Sequence, residues 1–334
     1  MEQDALELQH MKLPPFSEYL QTLTPALEAQ VEQKSELYSL LADERSREML
    51  VLVAAYAILG RLFVKFPYYA PDAIATRTAL HKKALIKEHG DPMSHKVRND
   101  EFGLGFALNL YDTSAIGHDL RLYAGAEFLY ALMRDPQYVY TTNTVRIAVE
   151  TGDYVMDCGA CFGDMALVFA DAVGPSGKVF AFEPHPRIAE LCAYNFSLNE
   201  RLQDSLTLAK KAVSETVGEE LSFTLAGPGS SLSDIAGTQV VAVTTTTIDH
   251  EVARNNLPRL DFIKMDVEGA ELQALRGAVH SIRKFKPNLA ISLYHKRSAF
   301  TLIPRFIHDL DLGYRFYMNH HYINQWETVL YASV

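Results

Sequence analysis

Tyr154-Val155-Met156-Asp157-Cys158-Gly159-Ala160-Cys161-Phe162-Gly163-Asp164 is the stretch on which the reading of this chain turns. It opens as a short apolar run, passes through two glycines and leads into a helix-compatible run, Met165-Ala166-Leu167-Val168-Phe169-Ala170. Strand, tight turn and helix in that order open a nucleotide-binding α/β domain. Gly159 and Gly163 let the backbone turn sharply and let a ligand come close to it. A second apolar run, Lys178-Val179-Phe180-Ala181-Phe182, ends in Glu183. An acidic residue at the end of the second strand suits a pair of ribose hydroxyls.

Two ligands compete for such a turn, and a purely structural strand-turn-helix is the third reading. A dinucleotide asks for G-x-G-x-x-G, because its pyrophosphate rests on a bare helix N-terminus. Here Cys161 stands where the middle glycine belongs, and Asp157 and Asp164 flank the turn. Two carboxylates repel a pyrophosphate and suit a ligand with positive charge. S-adenosylmethionine carries a sulfonium and an ammonium, with an adenosine for Glu183. The charge pattern therefore favours S-adenosylmethionine over NAD.

Composition narrows the class. The 334 residues are 48% hydrophobic with a formal net charge of -10, enough apolar content for a large core and too acidic for sequence-independent nucleic-acid binding. Three cysteines do not make a disulfide framework, which points to a reducing, cytoplasmic setting. The start, Met1-Glu2-Gln3-Asp4, is acidic where a secretory signal is basic. The longest apolar run, Met49 to Gly60, falls short of the ~20 residues a membrane span needs.

Along the chain, residues 1–100 read as a helical region. Leu37, Leu41, Met49, Leu50, Val53, Ala57 and Leu62 recur near helical spacing, and Pro14, Pro15, Pro67 and Pro71 punctuate them. Such helices suit a lid over an acceptor or a homo-oligomer contact. The polar stretch from Lys82 to Asp100, with Gly90-Asp91-Pro92, reads as a loop or linker, and its Lys82, Lys83, Lys87, Lys96 and Arg98 as a solvated surface. Residues 101–139 read as a connecting segment; Tyr138 and Tyr140 either close over a cofactor or pack on the first strand. The main domain runs over 140–334. Strands are expected near 154–158, 178–183, 206–209, 260–265 and 288–294, and helices near 163–172, 186–198, 269–284 and 298–310. That alternation implies a parallel sheet covered on both faces. An extra hairpin is expected in 219–247, and two terminal strands at Tyr314–Tyr317 and Glu327–Tyr331, the last antiparallel.

Four constellations are weighed for chemistry. Cys158-Gly159-Ala160-Cys161 is a C-x-x-C, but only Cys192 remains as a further cysteine, so small residues packed in a turn is the better reading and no metal ligands are assigned. Asp266 and Glu268 follow the apolar strand Phe262-Ile263-Lys264-Met265, at the edge where open α/β sheets bind ligands. They orient an acceptor, hold a cofactor, bind Mg²⁺ through oxygen, or cap the next helix. His295 follows Leu289-Ala290-Ile291-Ser292-Leu293-Tyr294 and emerges at the same edge as a candidate general base. Lys296 and Arg297 are expected to keep it neutral, with Asp266 or Glu268 fixing its tautomer. Of the adjacent His320 and His321, an extended backbone turns at most one toward the site.

The set Asp157-Cys158-Gly159-Ala160…Gly163-Asp164, Ala181-Phe182-Glu183-Pro184, Ile263-Lys264-Met265-Asp266-Val267-Glu268-Gly269-Ala270-Glu271 and Tyr294-His295-Lys296 resembles the FkbM family of S-adenosylmethionine-dependent methyltransferases. The tail, His320-His321 and Glu327 to Ala332, is similar to it too. The resemblance covers about the last two hundred residues. Cys158 and Cys161 depart from it, at positions where the turn uses backbone. It implies an α/β, class I methyltransferase (Rossmann-like) fold: a seven-stranded, mostly parallel sheet with helices on both faces. It implies O-methylation of a hydroxyl on a sugar, glycan or natural-product small molecule. Asp157, Gly159, Ala160, Gly163 and Asp164 would then surround the methionine part of the cofactor, Glu183 would hold the ribose, and Ala212 and Val213 would lie against the adenine. Asp266 would serve cofactor and catalysis, with Lys264, Glu268 and His295 beside it. An NAD-dependent oxidoreductase, or a methyltransferase-like binding module without activity, are the rival readings.

Overall fold

The computed structural model describes residues 16–60, 63–66, 71–86, 91–99, 101–102, 107–126, 128, 136–224, 240–322, 324 and 326–334. Among the described residues four helices come first: α1 (Phe16–Leu40), α2 (Glu44–Leu59), α3 (Pro71–Ala84) and α4 (Pro92–Arg98). Asp43 starts α2 by accepting from the Ser46 amide at 2.9 Å, and Asp91 starts α4 by accepting from the Met93 and Ser94 amides. Such carboxylates satisfy donors that a first turn leaves unpaired. The expected loop at 82–100 is therefore corrected. Helix α3 reaches Ala84, and Asp91-Pro92 is a cap followed by proline at the first helical position rather than a break. Pro14, Pro15, Leu62, Pro67, Lys87 and Gly90 lie outside the described residues.

Two short antiparallel pairs follow, β1 (Asn109–Asp112) with β2 (Arg121–Ala124) and β3 (Tyr140–Thr141) with β4 (Arg146–Ile147). The main alternation is β5 (Tyr154–Cys158), α5 (Asp164–Val173), β6 (Lys178–Phe182), α6 (Pro186–Ser197), β7 (Leu206–Ala209), then a side sheet of β8 (Ala212–Val213), β9 (Glu220–Thr224) and β10 (Val240–Thr246). It continues with α7 (Ile248–Arg254), β11 (Phe262–Met265), α8 (Glu271–Arg276), α9 (Val279–Phe285), β12 (Asn288–Ser292), α10 (Ala299–Asp309), β13 (Arg315–His320) and β14 (Thr328–Ser333). The hairpin expected in 219–247 is the antiparallel β9–β10 pair, and residues 225–239 between the two strands lie outside the described ones. The helix expected over 269–284 is two helices. At Gly277 a Cβ would stand 2.1 Å from the Ser214 carbonyl oxygen, and Asp249 caps α9 from outside by accepting from the His280 and Ser281 amides.

The main sheet has seven strands in the order β13-β14-β12-β11-β5-β6-β7. Strand β14 runs antiparallel to both neighbours, and the remaining pairings are parallel. The chain fills one side of β5 through β6 and β7, then crosses to β11 on the other. The order thus reverses between β5 and β11, which is where ligands bind in such sheets. Alternating residues face opposite cores. Met156 and Ile263 pack with Leu37, Leu41, Leu50 and Val53 of the N-terminal helices, while Val155 and Phe262 pack with Leu167, Ala170 and Tyr331.

The N-terminal helices close the exposed edge of β13. The Ala42 amide donates to the Phe316 carbonyl at 2.7 Å, and the Met318 amide donates to Ser46 Oγ at 2.9 Å. An edge strand left open is a template for association with other chains. Among the described residues no helix is long and apolar enough to cross a membrane.

Gly159 locks the turn to the sheet. Its φ is 83°, and a Cβ would sit 1.8 Å from the Asp266 carbonyl oxygen. What approaches this glycine is thus the end of β11, a constraint inside the protein.

Three outcomes test this account. Leu50→Ala, in the core beneath α2, should cost about 2–5 kcal/mol in denaturant unfolding. Removing everything before Phe102 should expose the β13 edge and give a protein that aggregates on size exclusion; a monodisperse truncated chain would refute the edge-cover role. Gly159→Ala should unfold at clearly lower denaturant than wild type, and an unchanged midpoint would show that the turn relaxes freely.

Candidate active site at the strand switch point

The turn after β5 is laced to the end of β6. The Gly159 and Ala160 amides donate to the Phe182 carbonyl at 3.0 and 2.9 Å. Glu183, one residue further on, accepts from the Cys161 amide through Oε2 (2.9 Å) and from the His185 amide through Oε1 (2.8 Å). Burial pushes its carboxyl up to about 7, against the pull of those two amides. Cys161 has a positive φ of 49°, and Gly163, at 78°, leads into α5. A Cβ on Gly163 would press on Cys192 Sγ and the Phe196 ring. Asp164 opens α5, and burial raises its carboxyl to about 6. Cys158, Cys161 and Cys192 are free thiols, and burial raises all three above the ordinary thiol range.

Asp157 and Lys264 lie beneath this turn. Asp157 is wholly buried, and Lys264 Nζ stands 3.0 Å from its Oδ1 and donates to the Gly159 carbonyl at 2.5 Å. Burial works against the ammonium, but Asp157 and Asp266 hold its proton more tightly than usual. Asp157 thus meets the Lys264 ammonium inside the sheet, and the charge of each is matched by the other. Together they fix the turn, and Asp164 and Glu183 supply the remaining negative charge there.

The second group gathers where β11 and β12 end. The Asp266 amide still pairs with the Cys158 carbonyl at 3.0 Å. Its carboxylate accepts from Tyr138 Oη at Oδ2 and Tyr294 Oη at Oδ1, both at 3.0 Å. The Tyr138 ring lies over Lys264 Nζ, 5.3 Å from the centroid. His295 places Nδ1 2.8 Å from Glu271 Oε1, an oxygen that also accepts from the Val267 and Gly269 amides. His295 Nε2 stands 3.3 Å from Glu268 Oε2 and 3.5 Å from Asp266 Oδ1. Gln137 Nε2 donates to Glu327, which precedes β14.

The electrostatics follow from this crowding. Burial disfavours the imidazolium, but the hydrogen bond to Glu271 and the charges of Asp266, Glu271 and Glu268 raise His295 to about 9. The expected neutral ring is therefore overturned: carboxylates face it, and Lys296 and Arg297 do not govern it. The tautomer is held by Glu271, not by Asp266 or Glu268. Burial alone would raise Asp266, yet Lys264 and His295 bring it below the ordinary carboxylate range. Glu268 and Glu327 are each raised to about 7, first by burial.

The other expected residues are placed as follows. Tyr138 enters the site, whereas Tyr140 packs between Tyr317 and Tyr331 and donates to Asp43. Ala212 and Val213 are buried in β8, paired with Thr245 and Thr246. His320 bonds Thr328 Oγ1 and stacks on Phe66, and His321 bonds Tyr331 Oη; both are buried. Sequence reasoning passed over Glu271, Tyr294 and Glu327. Glu271 had a signal, an acid two residues past a glycine at a helix start, where it caps that turn. Glu327 stood only in the tail that resembles the family, and nothing in its spacing ties it to Asp266.

Comparison with known proteins agrees with this geometry. The family described as Methyltransferase FkbM domain matches residues 157–316. A 2-O-methyltransferase, NoeI, of Sinorhizobium fredii is 26% identical over 148 residues, covering 39% of this chain and 59% of that protein. The crystal structure of methyltransferase FkbM from Methylobacillus flagellatus superposes with a TM-score of 0.51 at 18% identity, over 92% of this chain and 58% of that one. The chain thus spans somewhat under two thirds of the length of both relatives. The structural likeness gives the fold, a class I methyltransferase sheet with an added helical N-terminal region, and the FkbM methyltransferase domain model matches residues 157–316 of it.

Proposed function

We propose that this protein is an S-adenosylmethionine-dependent O-methyltransferase acting on a hydroxyl of a sugar or natural-product small molecule. One observation carries the reading. The glycine turn with Glu183 and the Asp266–Glu268–His295 cluster meet at the same end of β5 and β11, joined where Asp266 packs on Gly159. A cofactor pocket and a polar acceptor wall thereby share one edge of the sheet.

The donor set fits the cofactor. Asp164 offers negative charge beside a tight turn for a ligand with an ammonium and a sulfonium, with Gly159, Ala160 and Gly163 allowing close approach. Glu183 accepts from the ribose hydroxyls, with Ala212 and Val213 on the adenine side. When bound, S-adenosylmethionine supplies a methyl group on sulfur for in-line displacement by the acceptor oxygen. The chain's part is to hold that oxygen in line, and the hydroxyl proton leaves into the cluster of Asp266, Glu268 and His295. The name of the relative NoeI supports oxygen as the acceptor atom. A nicotinamide enzyme fits less well, since Cys161 occupies the position where a dinucleotide needs glycine.

The deciding experiment is calorimetry with S-adenosylhomocysteine and with NAD, followed by a mass-spectrometric screen of hydroxyl acceptors for a gain of one methyl. Binding of NAD without S-adenosylhomocysteine would sink the proposal. Glu183→Ala should lose about 1.5–3 kcal/mol of S-adenosylhomocysteine affinity, the worth of a hydrogen bond to a charged group. Because only the ionised carboxylate accepts from both hydroxyls, wild-type affinity should rise as pH climbs through about 7 and then level off. Glu183→Gln should flatten that rise, and an identical pH profile would remove Glu183 from the ribose. His295→Ala should leave S-adenosylhomocysteine binding nearly unchanged and cut turnover by ~10²–10⁴-fold, the usual worth of a positioned proton-transfer group. Near-normal turnover would take His295 out of the reaction.

A further inference from the structure

We propose that the apolar groove between α1 and α2 is a binding site for a straight-chain aliphatic carboxylate, a free fatty acid, whose charged end pairs with Lys34. The inference does not rest on the methyl-transfer reading, and none of the residues lining the groove belongs to the site at the strand ends.

The two helices meet where Leu37 of α1 and Leu50 and Val53 of α2 enter the core. Beside that contact they enclose a cavity of about 560 Å³. Ala54 and Ala55 stand on the α2 wall and are too short to fill it. Four of the nine large apolar side chains exposed among the described residues line this one groove: Leu27, Val31, Tyr38 and Val51. Apolar side chains scattered singly over a surface need no explanation, but a contiguous set marks a place where something binds. The volume lies in the ~300–1,000 Å³ range of small-molecule pockets, which are mostly apolar with a few placed polar groups.

The placed polar group here is Lys34. It is 8% exposed and lines the groove; Nζ donates to Gln30 Oε1 at 2.6 Å and stands 4.5 Å from the centre of the Phe300 ring. Among the described residues no carboxylate pairs with it. The nearby Glu36 is taken by Arg305, whose Nε donates to Glu36 Oε1 at 2.7 Å. Burial, and then the charge of Arg297, lower the pKa of Lys34 to about 8, so it still carries its proton at neutral pH. Buried charges are ordinarily paired, and this ammonium has a neutral acceptor and a second cation for company.

That charge decides among occupants. In a twofold contact between copies of this chain, the same patch meets itself. The residues lining the groove include no Asp or Glu, so a second copy would bury Lys34 unmatched, and so would a neutral hydrocarbon. A fatty acid meets both demands. Its methylenes lie on Leu27, Val31 and Ala55, and its carboxylate accepts a charge-assisted bond from Nζ. Thr301 Oγ1 donates to the Gln33 carbonyl at 2.7 Å and holds α1 on α10, so the ammonium is positioned before a ligand arrives.

The test is calorimetry on the full chain with dodecanoate, kept below its micellar concentration. One equivalent should bind, and each methylene removed on the way to decanoate should weaken binding roughly fourfold. Dodecyltrimethylammonium has the same chain and the opposite charge, and it should bind at least about tenfold more weakly; Lys34→Gln should weaken dodecanoate binding by a similar factor. Ala55→Trp fills the groove and should abolish binding, with circular dichroism as the check on folding. Absence of saturable dodecanoate binding would overturn the site, as would equal binding of the two wild-type probes or unchanged affinity in Lys34→Gln. A dimer in light scattering that Val31→Glu dissociates, in a protein that ignores dodecanoate, would make the groove a contact between copies instead. The comparison of probes on wild-type protein decides even where a variant fails to fold.

Discussion

The ammonium of Lys264 holds the two halves of this sheet together. It projects from β11, meets the buried carboxylate of Asp157 on β5 at 3.0 Å and binds the Gly159 carbonyl just beyond it. These are the two strands between which the order reverses, so the contact sits at the one place where the fold opens a crevice. A buried pair of this kind is a poor source of net stability, because desolvation offsets much of the attraction. Removing one partner, however, leaves an uncompensated charge and costs about 3–5 kcal/mol. Its value lies in geometry: the ammonium fixes the carbonyl of the glycine turn, and through it the amides that face Glu183.

The same ammonium links the two ends of the site. It helps keep Asp266 ionised despite burial, and Asp266 in turn helps raise His295 and Glu327. Carboxylates from three different segments, Asp266 and Glu268 after β11, Glu271 in α8 and Glu327 before β14, surround one imidazole. Concentrated negative charge in a partly dry site either takes up protons or attracts cations. Glu268 and Glu327 at about 7 are the protein's own way of relieving it.

Most of the sheet was legible from the sequence because parallel strands buried on both faces leave apolar runs, and those runs are bounded by glycine and acidic residues. The strands at 154–158 and 206–209 fall where expected, and β14 is antiparallel as expected. The misses have physical causes. Asp91-Pro92 looks like a break in composition, but a capping carboxylate before proline starts a helix. The helix over 269–284 divides because Gly277 must clear a carbonyl from a distant turn, and no local pattern records that. At the site, the residue types were visible and their partners were not. Lys296 and Arg297 are His295's neighbours along the chain, yet the ring answers to Glu271, Asp266 and Glu268 across space. Charge arguments from sequence neighbours fail when a strand end turns the side chain toward another element.

The wall beside Asp266 is built from parts outside the parallel sheet. The short segment before β3 is pinned at both of its central residues: Gln137 through Glu327 and through the Tyr331 hydroxyl on its carbonyl, Tyr138 through Asp266. It is thus anchored to β14 and to the end of β11 at once. Strand β14 is in turn covered by β13, whose free edge is closed by Ala42 and Ser46 of the N-terminal region. A continuous chain of hydrogen-bonded elements therefore runs from the N-terminal helices to the hydroxyls that steady Asp266. The parallel strands fix where chemistry occurs. The N-terminal helices and the 136–139 segment, which carry no motif of their own, thereby hold Asp266 in place from outside the parallel sheet.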